Sequence, residues 1–116
     1  MPGEETFLLI LFLAVGGLFV ARGLPLVAGR VPPNVLYGYR TRRTLSDPAA
    51  WYSANRVCGY WCIATGLLTP AAALGMHFAD VRPPVSVFAT LAALIPLIVA
   101  MIVHSEIASR RALAAL

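Results

Sequence analysis

The stretch VCGYWCIATGLLTPAAALGM, residues 57–76, decides the fold class, because it holds twenty consecutive residues without a charged side chain. A membrane-spanning α-helix needs about 20 mostly apolar residues, since each residue adds about 1.5 Å along the axis. Two further apolar runs, residues 6–21 and 85–103, lie on either side of this stretch. We therefore predict three transmembrane helices, arranged as a three-helix bundle. They cover about residues 5–22, 56–76 and 85–104.

The composition of the whole chain agrees with a lipid environment. The chain has 116 residues, of which 59% are hydrophobic and 12% are charged, and its mean hydropathy is +0.79. An ordinary soluble domain carries about 25% charged residues, so this composition excludes a water-soluble globule and a disordered chain. We therefore treat residues 1–116 as a single, all-α integral membrane domain.

The distribution of arginine predicts the orientation of these helices. The nine cationic residues are all arginine, and six of them lie between Arg22 and Arg56, against one acid, Asp47. The C-terminal tail adds Arg110 and Arg111, whereas the N-terminus and the second connection carry few arginines. Cytoplasmic segments of membrane proteins are enriched in arginine and lysine. We predict an outside N-terminus, an inside C-terminus and a long cytoplasmic loop between helices 1 and 2.

The residues that usually carry catalysis or bind metals are too few, or too far apart, to form such a site. Cys58 and Cys62 are four residues apart on one helix, which suits neither a disulfide nor a complete zinc site. His77 and His104 belong at opposite ends of the helices, about 30 Å apart. Glu106 could pair with His104. With no paired carboxylates and no nucleophile–base pair, we predict no enzymatic activity, no cofactor and no metal.

The dipeptide Asp47-Pro48 predicts where the second helix begins, before the membrane. Aspartate is a favoured N-cap residue, and proline is favoured at the first helical position. From there the helix continues without a break, which places Trp51 and Asn55 on one face. Gly59 and Gly66 flank that face, and small residues let helices approach closely in lipid. We expect this face to be a packing surface, within the bundle or between protomers.

The loop at residues 30–56 is the candidate functional segment. Its sequence VPPNVLYGYRTRRTLSDPAAWYSANR concentrates tyrosine, tryptophan, asparagine and arginine beyond what a connector needs. Arginine forms forked hydrogen bonds with phosphate and carboxylate groups, which favours a site for a lipid headgroup, a peptide or a protein. The same side chains are also typical of an interfacial lid that rests on anionic lipid. The residues alone leave both interpretations open.

The loop resembles the signature of the SdpI family of bacterial membrane proteins, over about residues 30–75. The matching pieces are Pro33-Asn34, Tyr37-Gly38-Tyr39-Arg40-Thr41, Trp51, Ala54-Asn55-Arg56 and Gly59. The resemblance implies a small multi-pass helical protein of the bacterial inner (plasma) membrane. The named member is a longer immunity protein that protects a cell from a secreted peptide toxin and holds a transcriptional repressor at the membrane.

Within this signature we assign ligand or partner binding to the loop and to the start of the second helix. The assigned residues are Asn34, Tyr37, Gly38, Tyr39, Arg40, Thr41, Trp51, Asn55 and Arg56. Asp47 is assigned as a structural cap. We expect the YGYRT segment to fold back against the second helix, so that Asn55 bonds the loop backbone and Arg40 or Arg56 meets an anionic group.

We predict an SdpI-like membrane protein that acts by binding. The most specific form of this prediction is immunity to a membrane-active peptide toxin, with associated signalling. Its expected partners are membrane lipids, a peptide toxin or a protein, and a second copy in a homo-oligomer. Two alternatives are a structural or assembly subunit of a membrane complex, and a phospholipid-headgroup-binding or lipid-acting protein. Nucleic acid is not an expected partner, because the arginines lie in a short loop tied to the bilayer at both ends.

Overall fold

A computed structural model, which describes residues 2–34 and 36–116, shows an all-helical chain with no strand in these residues. Helix α1 spans Pro2–Val27, α2 spans Arg42–Ser46, α3 spans Pro48–Phe78 and α4 spans Val85–Ala114. The helices α1, α3 and α4 are each long and apolar enough to cross a membrane. The predicted fold class, an all-α protein with three membrane-spanning helices, is therefore confirmed.

The helices extend beyond the apolar runs from which they were predicted. Helix α1 continues through Pro25 to Val27, and α4 continues past His104 to Ala114. Helix α3 begins at Pro48, well before the hydrophobic run starts. The segment 30–56 is therefore not one continuous loop, because it consists of a non-helical stretch, the short helix α2 and the first turns of α3.

Side-chain caps define where α2 and α3 begin. The hydroxyl of Thr41 accepts a hydrogen bond from the Thr44 amide, and the Thr44 hydroxyl accepts one from the Thr41 amide, which together form a capping box. The Asp47 carboxylate accepts a hydrogen bond of 2.8 Å from the Ala49 amide, and Pro48 follows it at the first helical position. These caps fix the direction in which the chain leaves the loop.

Helix α3 is the central helix of the molecule. Both α1 and α4 pack against it, whereas among the described residues no Cα atom of α1 comes within 8 Å of a Cα atom of α4. The arrangement is therefore more open than the three-helix bundle predicted from the sequence. Many large apolar side chains of α1 and α4 are exposed rather than packed against α3, as expected for helices in lipid.

Four glycines set the distance between α1 and α3. A Cβ atom at Gly66 would lie 2.5 Å from the Gly16 carbonyl oxygen, and one at Gly59 would lie 2.8 Å from the Gly23 carbonyl oxygen. The two glycines of each helix are seven residues apart, so they face the partner helix two turns apart. The small-residue face predicted on the second helix packs inside this chain, against α1.

The antiparallel order of α1, α3 and α4 separates the charged residues into two groups. The loop end of the molecule contains residues 22–56 and 104–116, with eight arginines against Asp47 and Glu106, a formal side-chain charge of +6. The far end contains residues 2–9 and 76–86, where three acids and one arginine give a formal charge of −2. Both arginine-rich segments therefore lie on the same side of the apolar region.

Candidate functional site

Asn34 shapes the beginning of the signature loop. Its Nδ2 donates a 2.8 Å hydrogen bond to the Pro32 carbonyl, and its Oδ1 accepts from the amides of Leu36, at 2.9 Å, and Tyr37, at 2.7 Å. Asparagine favours such turns because its side chain can replace a backbone partner a few residues away. Asn34 thus directs Tyr37 towards the helices rather than offering its own amide to a ligand.

Tyr37 connects the loop to α1. Its hydroxyl donates a hydrogen bond to the Arg22 carbonyl, and the guanidinium carbon of Arg22 lies 4.9 Å from the centre of its ring. Burial raises the pKa of Tyr37, while the charge of Arg22 acts in the opposite direction. The hydroxyl therefore remains protonated at neutral pH and can act as a donor to α1.

Asn55 connects the loop to α3. Its Oδ1 accepts a 2.6 Å hydrogen bond from the Tyr39 amide, and its Nδ2 donates to the carbonyls of Tyr39, at 3.3 Å, and Trp51, at 2.9 Å. Only 2% of Asn55 is exposed, so these bonds satisfy an amide that would otherwise be costly to bury. The fold-back of the YGYRT segment onto Asn55, expected from the sequence, is present in the structure.

Trp51 and Thr44 hold the two ends of the loop. Trp51 is fully buried and its Nε1 donates a 2.8 Å hydrogen bond to the Val31 carbonyl. Thr44 is also fully buried, and its hydroxyl lies 3.1 Å from the Tyr39 carbonyl. Both buried side chains stabilise the loop through hydrogen bonds to its carbonyl groups, and neither is accessible to a ligand in this conformation.

Glu106 connects the loop to α4. It forms an ion pair with Arg43, accepts a 3.0 Å hydrogen bond from the Tyr39 hydroxyl and lies 3.4 Å from Nε of Arg110. Burial, and then the hydrogen bond and charge of Glu106, raise the pKa of Tyr39 to about 12. A carboxylate with three partners on two segments fixes the loop relative to α4 more firmly than one exposed ion pair would.

The sequence did not identify Glu106 as part of the site. The histidine with which it was expected to pair, His104, instead accepts a 3.1 Å hydrogen bond from Nε1 of Trp61. The sequence feature that could have indicated its role is that Glu106 is the sole acid in α4. It follows the apolar run and lies close to Arg110 and Arg111. Its two loop partners, Tyr39 and Arg43, lie more than 60 residues earlier, so their identity required the structure.

Most of the predicted binding residues thus build the loop rather than face the outside. Arg40 and Arg56 are exposed, whereas Gly38, Tyr39 and Thr41 are half-buried. Arg30 and Arg42 are exposed as well, and we call the four exposed arginines of this segment the loop arginines. The loop arginines are Arg30, Arg40, Arg42 and Arg56.

A small cavity of about 120 Å³ lies beneath the loop, between α1 and α3. Arg22 and Tyr37 line it on one side, and both cysteines, Cys58 and Cys62, line it on the other. In the part of the chain that the structure describes, no three His, Cys, Asp or Glu side chains are close enough to hold a metal ion. The loop end therefore offers the exposed guanidinium groups of the loop arginines and, separately, a narrow and mainly apolar recess beside Arg22.

Comparison with known proteins identifies similar sequences. The model of the SdpI/YfhL protein family matches residues 30–105, which includes the whole signature loop and the central helix. A Bacillus subtilis (strain 168) protein, "Uncharacterized protein YfhL", is 43% identical over 56 residues, which cover 42% of this chain and 51% of that protein. The chain thus spans about half the length of this relative. No solved structure matches the chain.

Proposed function

The chain belongs to the SdpI/YfhL protein family, and from this premise we propose that it is a non-enzymatic protein of the bacterial inner membrane that acts by binding. Its ligand is an amphipathic molecule with an acidic group, which meets the loop arginines at the membrane surface. The observation that carries this proposal is the loop itself, which is fixed to α1, α3 and α4 while its arginines remain exposed.

The rigid support of the loop favours recognition of a specific ligand over non-specific electrostatic attraction to anionic lipid. A disordered basic segment must lose conformational entropy when it binds, whereas a preformed loop does not. Here Tyr37, Asn55 and Glu106 fix the backbone before any ligand arrives. The forked geometry of arginine then matches carboxylate or phosphate groups that approach the fixed loop.

Immunity to a membrane-active peptide is the specific form of this proposal. Such a peptide lies in the interface with its apolar face in the lipid and its polar groups at headgroup level. Its acidic side chains or C-terminal carboxylate would contact the loop arginines, while its apolar face lies along the exposed faces of α1 or α4. Sequestration of the peptide at this position would keep it from disrupting the bilayer.

The absence of catalysis is also part of the proposal. The loop end carries two acids, and both have structural partners, since Asp47 caps α3 and Glu106 contacts Tyr39 and Arg43. A general acid or base needs a position from which it can reach a reacting group. Asp47 and Glu106 are instead engaged in holding the protein's own elements together.

The experiment that tests the proposal is native mass spectrometry of the full chain, extracted from its own membrane in mild detergent. We compare wild type with Arg40→Gln and Arg56→Gln, which remove charge from the signature. Arg111→Gln is the matched control, because it removes an exposed arginine of the same end but outside the loop. The expected result is a bound peptide or anionic lipid that is lost in the first two variants and retained in the third.

Two results would count against the proposal. Equal loss of the ligand in all three variants would show non-specific attraction to the charged end of the molecule. A protein of fixed stoichiometry, retained by every variant, would favour the alternative of an assembly subunit. That alternative is supported by the open arrangement of α1 and α4, which leaves their apolar faces available to helices of another chain.

A further inference from the structure

A larger cavity, of about 150 Å³, lies at the far end of the molecule, opposite the signature loop. Its walls come from the first turns of α1, the last turns of α3, and the connection and first turns of α4. It exists because α1 and α4 both pack on α3 without meeting each other. None of the signature residues, which lie between Pro33 and Gly59, lines this cavity, and the proposed function does not use it.

The inner wall of the cavity consists of apolar side chains together with Ser86 and Thr90 of α4, and the Thr90 hydroxyl donates a hydrogen bond to the Ser86 carbonyl. Leu8, Leu9 and Phe12 of α1 line it together with Ala73 of α3 and Val81 of the connection. An apolar cavity of about 150 Å³ in another protein holds a benzene molecule, which sets the size of the ligand that fits. The inner part thus accepts an aromatic ring or an aliphatic group of similar volume.

The mouth of the cavity is polar, and acids outnumber the arginine there. Glu5 lies 4.0 Å from Nε of Arg82, which is the outer limit of an ion pair, and the Arg82 side chain is 73% exposed. Asp80 and His77 also line the cavity, and both are exposed to solvent. One weakly held arginine thus faces two carboxylates at the edge of an apolar recess.

This combination of groups selects a ligand by charge as well as by size. The Glu5 side chain is 29% exposed, so its carboxylate is partly removed from water, and the loose contact with Arg82 compensates little of that cost, whereas Asp80 is exposed. A cation that enters the mouth gains mainly from Glu5, whose attraction is stronger beside the apolar wall than in water, and less from the exposed Asp80. The same carboxylates would repel an anion.

We propose that this cavity binds a small organic cation, namely an amine or ammonium compound with an apolar body about the size of a benzene ring. The ammonium group lies at the mouth with Glu5 and Asp80, and the apolar body lies against Leu8 and Phe12. The bound cation displaces Arg82 from Glu5, and Arg82 moves into the solvent to which it is already exposed.

The test uses the full chain in nanodiscs of phosphatidylcholine, a lipid without net charge, with empty nanodiscs as the reference. Benzylamine is the cationic probe, and benzyl alcohol and benzoate are neutral and anionic probes of similar size. Binding is measured by isothermal titration calorimetry. We expect saturable binding of benzylamine, about tenfold tighter than that of benzyl alcohol, and no binding of benzoate.

Variants at the mouth give effects of opposite sign, which a purely apolar cavity would not produce. Glu5→Gln is expected to weaken benzylamine binding about tenfold, Asp80→Asn to weaken it by up to about fivefold because Asp80 is exposed, and Arg82→Gln to strengthen it severalfold because the competing cation is gone. Glu4→Gln is the matched control, since Glu4 is the neighbouring carboxylate but does not line the cavity. It should leave the affinity unchanged.

A further variant keeps the proposal testable if a charge change impairs folding. Phe12→Trp fills the inner part of the cavity with an apolar group and should reduce the affinity for benzylamine with no change of charge. Equal affinity for benzylamine and benzyl alcohol would overturn the proposal, as would benzylamine binding that Phe12→Trp leaves unchanged. Because the loop arginines play no part here, failure of this site leaves the proposed function of the loop intact.

Discussion

Gly38 shows how strongly a single loop residue is constrained. Its φ angle is +107°, and a Cβ atom there would lie 2.5 Å from Oδ1 of Asn55, the oxygen that accepts the Tyr39 amide. We predict that Gly38→Ala lowers the free energy of unfolding by about 2–3 kcal/mol, through backbone strain and loss of the Asn55 hydrogen bonds. The measurement is denaturation of the purified protein in detergent.

Gly75→Ala is the control for this substitution. Gly75 lies inside α3 with no atom within 4 Å of its missing Cβ, so alanine there fits and favours the helix by up to about 1 kcal/mol. The two variants should therefore change stability in opposite directions. Equal stability of both would show that Gly38 is not needed for the close approach of the loop to α3.

Tyr39 makes the loop sensitive to alkaline pH. Burial and Glu106 raise its pKa to about 12 in the folded protein, whereas tyrosine in an unfolded chain titrates near 10. The folded state holds the proton more tightly, so the stabilisation is complete below about pH 10 and is lost as the pH rises to about 12. We predict that thermal stability falls across this interval, and that Tyr39→Phe removes part of the fall.

The comparison for Tyr39→Phe is Tyr60→Phe, measured by thermal denaturation from pH 9 to 12. Tyr60 lies on α3 outside the loop and is 58% exposed. Tyr60→Phe should leave the decrease of thermal stability between pH 9 and 12 the same as in the wild type. A profile that responds equally to both substitutions would assign the effect to tyrosine ionisation in general rather than to the Tyr39–Glu106 contact.

At the scale of elements, the close packing of α1 against α3 depends on glycine. We predict that Gly66→Ala destabilises the protein, because its Cβ would lie 2.5 Å from the Gly16 carbonyl oxygen and the helices must separate. Gly17→Ala, one position away from the contact on α1, has open space around its Cβ and should be neutral or slightly stabilising. Unfolding in sodium dodecyl sulfate, monitored by circular dichroism, measures both.

If Gly66→Ala and Gly17→Ala behave alike, the glycine contact does not determine the distance between α1 and α3. The physical reason to expect a difference is that lipid supplies no hydrophobic force between helices, so that close van der Waals packing decides their association. Overpacking of such a contact costs about 1–3 kcal/mol in well-packed interiors.

The helices could be predicted from sequence, but their pairing could not. Length and hydropathy identify spans 57–76 and 85–103, and Asp47-Pro48 identifies the start of α3, because caps and spans are local properties. Small residues can indicate a packing face, but they do not specify its partner, since in lipid the exposed side of a helix is as apolar as the packed side. The sequence therefore indicated Gly59 and Gly66 as a small-residue face, but not their pairing with Gly23 and Gly16 on α1.

The site could be predicted only where its contacts are near in sequence or fixed by a motif. The contact of Asn55 with the Tyr39 backbone joins neighbouring segments of one signature and was expected. The contact of Glu106 with Arg43 joins segments 63 residues apart. Nothing in the local sequence of either residue specifies the other. For the same reason, the sequence does not show that α1 and α4 both pack on α3 without contacting each other.

For the whole molecule, the charge difference between the two ends predicts its topology. The loop end carries a formal charge of +6 and the far end −2, so we expect the loop end in the cytoplasm. A Cys58→Ala/Cys62→Ala background allows single cysteines to be placed at exposed positions, Ser46→Cys at the loop end and Ala79→Cys at the far end. A membrane-impermeant maleimide should label Ala79→Cys in intact cells, and Ser46→Cys after permeabilisation.

Labelling of Ser46→Cys in intact cells, with Ala79→Cys protected, would establish the opposite orientation. The proposal of peptide binding would then require the ligand to act from the other face of the membrane. A Glu4→Cys variant in the same background provides a second marker of the far end, because Glu4 is exposed near the start of α1. Both far-end positions should respond alike.

The separation of Glu106 from the loop along the chain has a consequence for the order of events during biosynthesis. The partners of the loop on α1 and α3 lie 15 and 16 residues away, so they emerge from the ribosome close in time to the loop. Its partner on α4 emerges 63 residues after Arg43. Because α1 needs no contact with α4, the nascent chain can assemble α1, loop and α3 first. Until translation reaches Glu106, the carboxylate that pairs with Arg43 has not been made, so we expect Arg43 to contact anionic headgroups and to help keep the loop on the side where it was made.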